Sequence, residues 1–381
     1  MRTHDDNKAR RRAPADYLAP RLASRLASRL ATVLALVLLA LVLLAMAPAR
    51  AVPRALPAYQ VDLNQTTVSG LSSGAFMAGQ FAVAYSGIVT GVGLIAGGPY
   101  FCAGHPGNPP FIPYLVNAMS ACMNPADSGV EPPDAMVSWA RAQDFARAGL
   151  IDSVANLQRQ SVYLFSGTAD TTVTTAVVDQ VRRFYELAGA TQLRYVDNVA
   201  AGHAMITDRA ADHACAVTAP PYFNDCGIRQ AQEILNFLYT GLNPPTAQLH
   251  GKIVAFDQRH FAPPFSSMSA TGYAFVPASC ASQSCRVHVA FHGCRQGTAA
   301  IGDHFYAHAG YNEVADTNNI IVLYPQVAPS QLYPYNPKGC WDFWGYTSAD
   351  PFAPDFFTRT GAQMAAVRAM LAQLARPRGA H

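Results

Sequence analysis

Charge is scarce in this chain of 381 residues: only 13% of them are Asp, Glu, Lys or Arg, where roughly 25% is usual in soluble proteins. Together with 50% apolar residues, that scarcity excludes an intrinsically disordered chain and a nucleic-acid binder driven by bulk charge. It leaves ample material for a buried core. Paired C-x-x-C motifs and an HEXXH motif are missing, which removes the usual sequence signs of a zinc site. Past the N-terminal stretch there is no internal repeat, low-complexity tract or Ser/Thr/Pro/Gly-rich linker, so one domain is the simplest organisation.

The N-terminal stretch is the exception. It carries nine basic residues up to Arg50 against three acidic ones, Asp5, Asp6 and Asp16. Setting these aside turns the formal charge of +3 into −3, from 18 basic and 21 acidic residues. The basic region leads into an apolar run over residues 31–47 and then Ala49-Arg50-Ala51, a small-x-small cleavage pattern. This is the layout of a secretory signal over residues 1–51, cut after Ala51. A retained anchor is the alternative, because the run is close to the minimum of about 17 residues that spans a bilayer. The cleavage pattern that follows at once favours removal. Residues 52–381 are then an extracellular or periplasmic chain with no stable membrane association.

Export decides how the cysteines are read. All eight (Cys102, Cys122, Cys215, Cys226, Cys280, Cys285, Cys294, Cys340) lie in the mature part, and an even number in an oxidising compartment implies four disulfides. Closeness in sequence favours Cys215 with Cys226 and Cys280 with Cys285. Cys102 with Cys122 and Cys294 with Cys340 are then the simplest remainder.

Strand-like runs at residues 65–69, 90–96, 161–165, 193–196, 287–291 and 320–324 alternate with helix-like runs at 75–85, 135–148, 174–187, 228–239, 311–318 and 358–374. Such alternation predicts an α/β fold with a mostly parallel sheet. Proline-containing stretches at 106–113, 124–133 and 329–337 read as long loops of the kind that frame a cleft.

Gly70-Leu71-Ser72-Ser73-Gly74 matches G-x-S-x-G, a strand-to-helix turn that holds a serine hydroxyl exposed. It follows a β-type run and opens an apolar helical one, the setting the motif requires. Ser73 is the neighbouring candidate, but the spacing selects Ser72. A serine nucleophile needs a base, and the base an acid partner, in the order Ser, Asp/Glu, His for this turn. Asp170 stands just past a predicted strand, and His203 in the loop after the next one. Alone, Asp170 could be a helix N-cap and His203 a surface histidine; their order and positions together favour the triad. Asp179, inside a helix pattern, and Asp197, one loop early, fit less well.

The oxyanion of an acyl-transfer intermediate needs backbone donors, one of them the residue after the nucleophile, here Ser73. The second normally comes from an earlier strand-to-helix loop, yet only one short strand-like stretch precedes Ser72. The matching His292-Gly293-Cys294 lies downstream, after Val287-His288-Val289-Ala290-Phe291. This points to a circular permutation, in which the usual N-terminal strands follow the triad and the last helix packs beside the first strand. His288 and His292, four apart, read as structural.

The segments GLSSGAFMAGQFAVAYS, SGTADTTV, AGHAM, GYAFVPASC, VHVAFHGC and NPKGCWDFWGY, in this order, resemble the circularly permuted single-domain poly(3-hydroxybutyrate) depolymerases of the α/β-hydrolase superfamily. The likeness spans about residues 60–375. It implies Ser72 as nucleophile with Asp170 and His203, and the Ser73 and Cys294 amides as oxyanion hole. It also implies a Cys294–Cys340 disulfide, and Trp341 in an apolar subsite for the polyester. Alternation along 341–346 would send Trp341 and Phe343 to one face and Trp344 and Tyr346 to the other. The expected protein is a monomeric, secreted α/β-hydrolase without metal or cofactor. It would hydrolyse polyhydroxyalkanoate polymer or oligomers and carry no separate polymer-binding domain. A feruloyl or acetylxylan esterase is the rival enzyme, and a non-catalytic polymer-surface binder the rival of another class.

Overall fold

The computed structural model describes residues 29–39, 54–105 and 113–379. The chain divides into two units, Met1–Val52 and Pro53–His381. In the first, residues 29–39 are helical and exposed, and the cleavage pattern at 49–51 lies outside the described residues. Among the described residues no helix is long and apolar enough to cross a membrane.

Among the described residues of the second unit, eleven strands follow in chain order: β1 (Thr66–Leu71), β2 (Val89–Ile95), β3 (Ser161–Phe165), β4 (Gln192–Val196), β5 (Met205–Thr207), β6 (His213–Ala214), β7 (Phe223–Asp225), β8 (Lys252–Asp257), β9 (Thr271–Val276), β10 (Arg286–Phe291) and β11 (Ile320–Tyr324). Eight of them form one sheet in the order β4-β3-β2-β1-β10-β11-β9-β8, while β5, β7 and β6 form a small second sheet. The run from β4 to β11 is parallel, and β9 is antiparallel to both its neighbours. The chain therefore starts at the middle of the sheet, walks out to one edge, crosses to the other and closes back on the centre. There β10 pairs with β1. The helices are α1 (Ser73–Ala84), α2 (Pro113–Met119), α3 (Ala135–Arg147), α4 (Thr175–Leu187), α5 (Gln230–Leu238), α6 (Thr298–Ile301), α7 (His304–His308), α8 (Tyr311–Asp316) and α9 (Ala362–Ala375).

Strand β2 explains how helices cover both faces. Its sequence alternates glycine with bulky residues, and alternate positions face opposite sides. A Cβ on Gly91 or Gly93 would press on Leu238 or Ile234 of α5, whereas Leu94 on the other face meets Gly79 of α1. Helix α1 is buried at every position, as a helix apolar on all sides must be. Its outer side is covered by the 341–360 region: Phe343 stacks on Phe76 with centroids 4.2 Å apart, and Gln80 donates to the Asp342 carbonyl. At the end of the chain, the amides of Tyr59 and Val61 donate to the Leu374 carbonyl, so α9 is fastened to the segment that leads into β1.

The Gly91 side of the sheet holds a buried polar chain. Tyr311 donates to Ser69, and Ser69 to His288 Nε2; on the other side of the ring His288 Nδ1 donates to Thr67, and Thr67 to Tyr239, which ends on main-chain carbonyls. Every polar atom is thus matched with the imidazole neutral. Burial pushes His288 from the usual 6.5 down to about 3, and His292, also fully buried, down to about 4. Both protonate near 6.5 once unfolded, so the unfolded chain binds more protons in acid. Their contribution to stability is whole above about pH 6.5 and is lost as the pH falls toward 4 and then 3. Two such groups give a slope of up to about 2.7 kcal/mol per pH unit. Urea unfolding at pH 7 and pH 5.5 checks this: equal unfolding free energies at the two values would contradict it.

Candidate active site

The G-x-S-x-G turn is tight because its glycines touch other backbone. A Cβ on Gly70 would lie 2.3 Å from the Gly74 carbonyl, and one on Gly74 would lie 2.3 Å from the Phe291 oxygen. Helix α1 is thereby drawn against the end of β10. Ser72 sits between strand and helix at φ 57°, ψ −125°, a region costly for any side chain. The Ser72 amide is pinned to the Ile95 carbonyl. Although Ser72 occupies the N-cap position, its hydroxyl makes no capping bond. The neighbouring Ser73 hydroxyl does have a partner, accepting from the Trp341 N–H at 3.2 Å.

Asp170 and His203 lie on loops laced to each other: the Ala169 amide donates to Ala201 O, and the Thr168 amide to Val199 O. His203 Nδ1 is 2.7 Å from Asp170 Oδ2. The other carboxylate oxygen accepts from the amides of Thr172 and Val173 at 2.8 and 3.0 Å. A carboxylate accepts only, so Nδ1 carries the proton and Nε2 keeps its lone pair. The His203 loop is itself held from behind, its amide donating to Thr218 Oγ1 and the Gly202 amide to the Cys215 carbonyl. The Cys215–Cys226 disulfide closes that segment. Ser72 and His203 line one cleft of about 790 Å³.

The loop after β10 reaches the same cleft. Its Gly293 is fixed at both ends: the amide donates to Gln296 Oε1 at 2.8 Å, and the carbonyl accepts from His292 Nδ1 at 2.8 Å. His292 Nε2 accepts from the Val327 amide, and Gln296 Nε2 donates to the carbonyls of Pro221 and Tyr222. The carbonyl of one residue and the N–H of the next point opposite ways in a planar peptide. Holding the Gly293 carbonyl therefore aims the Cys294 N–H, which among the described residues donates to nothing. The Ser73 N–H opens α1 and has no intrahelical acceptor. Gln296 had no signature in the sequence; the carbonyls that its Nε2 reaches lie about 75 residues away.

All eight cysteines are bonded, as Cys102–Cys122, Cys215–Cys226, Cys280–Cys285 and Cys294–Cys340. The last joins the loop after β10 to the aromatic segment, where the fold departs from the strand-like alternation read in the sequence. Trp341 is 0% exposed, edge-on to Phe291 in the core, and is not part of the cleft wall. Nor is 341–347 a strand: it turns around buried Asp342, whose carboxylate accepts from the amides of Trp344, Gly345, Tyr346 and Thr347 and from the Thr347 hydroxyl. Burial raises the Asp342 pKa, and these donors pull it back. Phe343, Trp344 and Tyr346 line the cleft, as do Tyr114, Met119 and Met123. Among the described residues no group of His, Cys, Asp or Glu side chains is arranged to hold a metal ion.

No family model matches the chain. It is 40% identical over 326 residues to the poly(3-hydroxybutyrate) depolymerase of Delftia acidovorans, covering 83% of this chain and 60% of that one. It is 36% identical over 336 residues to the polyhydroxybutyrate depolymerase of Talaromyces funiculosus, covering 84% and 91%. Among solved structures, the PHB depolymerase of Penicillium funiculosum matches with a TM-score of 0.74 at 34% identity, over 84% of this chain and 98% of that one. A PHB depolymerase complexed with an R3HB trimer matches equally well.

Proposed function

The chain belongs to the polyhydroxybutyrate depolymerase family, and on that premise we propose that it is a secreted serine esterase of poly(3-hydroxybutyrate) or related short-chain polyhydroxyalkanoates. One observation carries the reading: a strained serine whose hydroxyl caps nothing shares an apolar cleft with a His–Asp pair. His203 Nε2 takes the Ser72 proton as Oγ attacks the ester carbonyl, and Asp170 stabilises the imidazolium. The Ser73 and Cys294 amides receive the oxyanion, the former at the positive end of α1. The imidazolium then protonates the leaving alkoxide, and water, activated by the same base, frees the acyl group from Ser72. The products are 3-hydroxybutyrate monomers or oligomers.

Residues 52–381 form the catalytic domain in this reading. Removal of residues 1–51 as an export signal is supported by the N-terminal pattern and by four disulfides. A circular permutation is supported by the strand order and by the fastening of α9 beside β1. Contact with solid polymer fits the exposed apolar side chains Leu332, Tyr333 and Tyr335 of the 329–337 loop, with Phe265 beside Tyr333.

The test is clearing of a poly(3-hydroxybutyrate) suspension by residues 52–381. Clearing should be rapid and should disappear in Ser72→Ala. Cleavage of soluble short-chain esters without clearing would leave the nucleophile in place and remove the solid polymer as substrate. A finer check concerns Gln296. Gln296→Leu frees the Gly293 peptide and should lower kcat on a soluble ester by about 100-fold, near the cost of losing an oxyanion donor, with KM little changed. A raised KM at unchanged kcat would instead make Gln296 a ground-state contact.

A further inference from the structure

The proposed substrate carries no charge along its length. A 3-hydroxyalkanoate polyester is a string of neutral esters with a hydroxyl at one end and a carboxylate at the other, and each cleavage creates one new carboxylate. Against that chemistry the cleft holds something a neutral ester does not call for. Among the described residues its lining contains no Asp or Glu, yet two cations, Arg295 and Lys338, stand in it. They lie on the two segments that the Cys294–Cys340 disulfide joins, and the Arg295 amide donates to the Lys338 carbonyl at 2.7 Å. Both are exposed, and neither side chain has a hydrogen-bond or ion-pair partner among the described residues. Arg295 holds φ 59°, a conformation that glycine adopts more easily, immediately after the proposed oxyanion donor Cys294. The bonded frame therefore holds the backbones of Arg295 and Lys338 side by side, and each brings an unpaired cation to a cleft whose lining has no carboxylate among the described residues.

We propose that Arg295 and Lys338 form a subsite for the terminal carboxylate of a polyester chain, so that the enzyme favours acid-ended oligomers over the same oligomers with a blocked end. A guanidinium suits a carboxylate through paired N–H donors, and the ammonium adds a point charge. The acid end belongs to the alcohol that leaves Ser72, so the subsite acts on acylation and not on breakdown of the acyl-enzyme. This inference rests on the esterase reading above.

The experiment compares kcat/KM for the 3-hydroxybutyrate trimer as free acid and as methyl ester, near pH 7.5. At low salt the ratio of acid to ester should be about three to ten, what one or two exposed charge pairs supply. In roughly 0.5 M NaCl it should fall toward one, as surface charges are screened. The Arg295→Gln, Lys338→Gln double variant should likewise bring it toward one at low salt. A wild-type ratio of one at low salt would overturn the subsite, and that measurement needs no variant. So would a preference that survives both salt and the double substitution. Hydrolysis of neither trimer would remove the esterase reading itself, and the subsite with it.

Discussion

Alanine at Ser72 should lower kcat on any ester the protein cleaves by about a millionfold, because a nucleophile and its base act as one unit. The fold should not notice the change. The Ser72 hydroxyl caps no helix, and the strained backbone is held by the Ile95 carbonyl and by neighbouring glycines, which alanine leaves untouched. Asp170→Asn should cost less, about ten-thousandfold. Its amide oxygen can still accept from Thr172 and Val173, but the amide NH2 would then face His203 Nδ1 and turn the ring to the other tautomer. Steady-state kinetics beside thermal melts would separate chemistry from folding. More than a few per cent of wild-type turnover in Ser72→Ala, with purity established, would send the search for the nucleophile elsewhere.

Replacing Cys294 and Cys340 together by serine should reduce both stability and turnover. The bond spans 46 residues, and the chain-entropy relation gives about 4 kcal/mol for a loop of that size, a fall of roughly 6 °C in Tm for a domain this large. Cys294 also supplies a proposed oxyanion amide, so kcat should drop by about 100-fold at temperatures where the variant is folded. Cys280 and Cys285 make the control. Their bond spans five residues, it lies apart from the cleft lining, and its loss should cost about 2 kcal/mol without a comparable change in turnover. Equal loss of kcat in both pairs would mean that the cleft depends on general rigidity and not on the loop after β10.

What could be read in the sequence was whatever has a local signature. The turn around Ser72 announces itself by two glycines, and Asp170 and His203 follow strands whose apolar runs are plain, so their meeting could be anticipated from topology. The hairpin of β8 and β9 is absent from the sequence reading although both strands hold short apolar runs, 253–256 and 273–276; β8 is an edge strand with its first residues exposed, and a run of four apolar residues does not by itself separate strand from helix. Helix α2 lies at the end of a proline-containing stretch that reads as loop. The resemblance alone assigns Trp341 to the polyester subsite; its indole lies in the core, and the turn around Asp342 brings Trp344 and Tyr346 to the cleft. Gln296 and the Arg295–Lys338 pair depend on contacts across long separations, and one sequence carries no trace of those.

The pairing of β1 with β10 has a consequence for how the protein is made. Val68 lies beside Val289, roughly 220 residues apart, so the first strand to leave the ribosome must wait for one of the last. At about 5–20 residues per second, that interval is on the order of 10–45 s. Through it β1 is paired with β2 on one side and has no partner on the other. Such a chain folds late and all at once, with the slowness that distant pairings impose. If residues 1–51 act as the proposed export signal, that lateness is an advantage: no finished domain forms in time to jam a translocation channel.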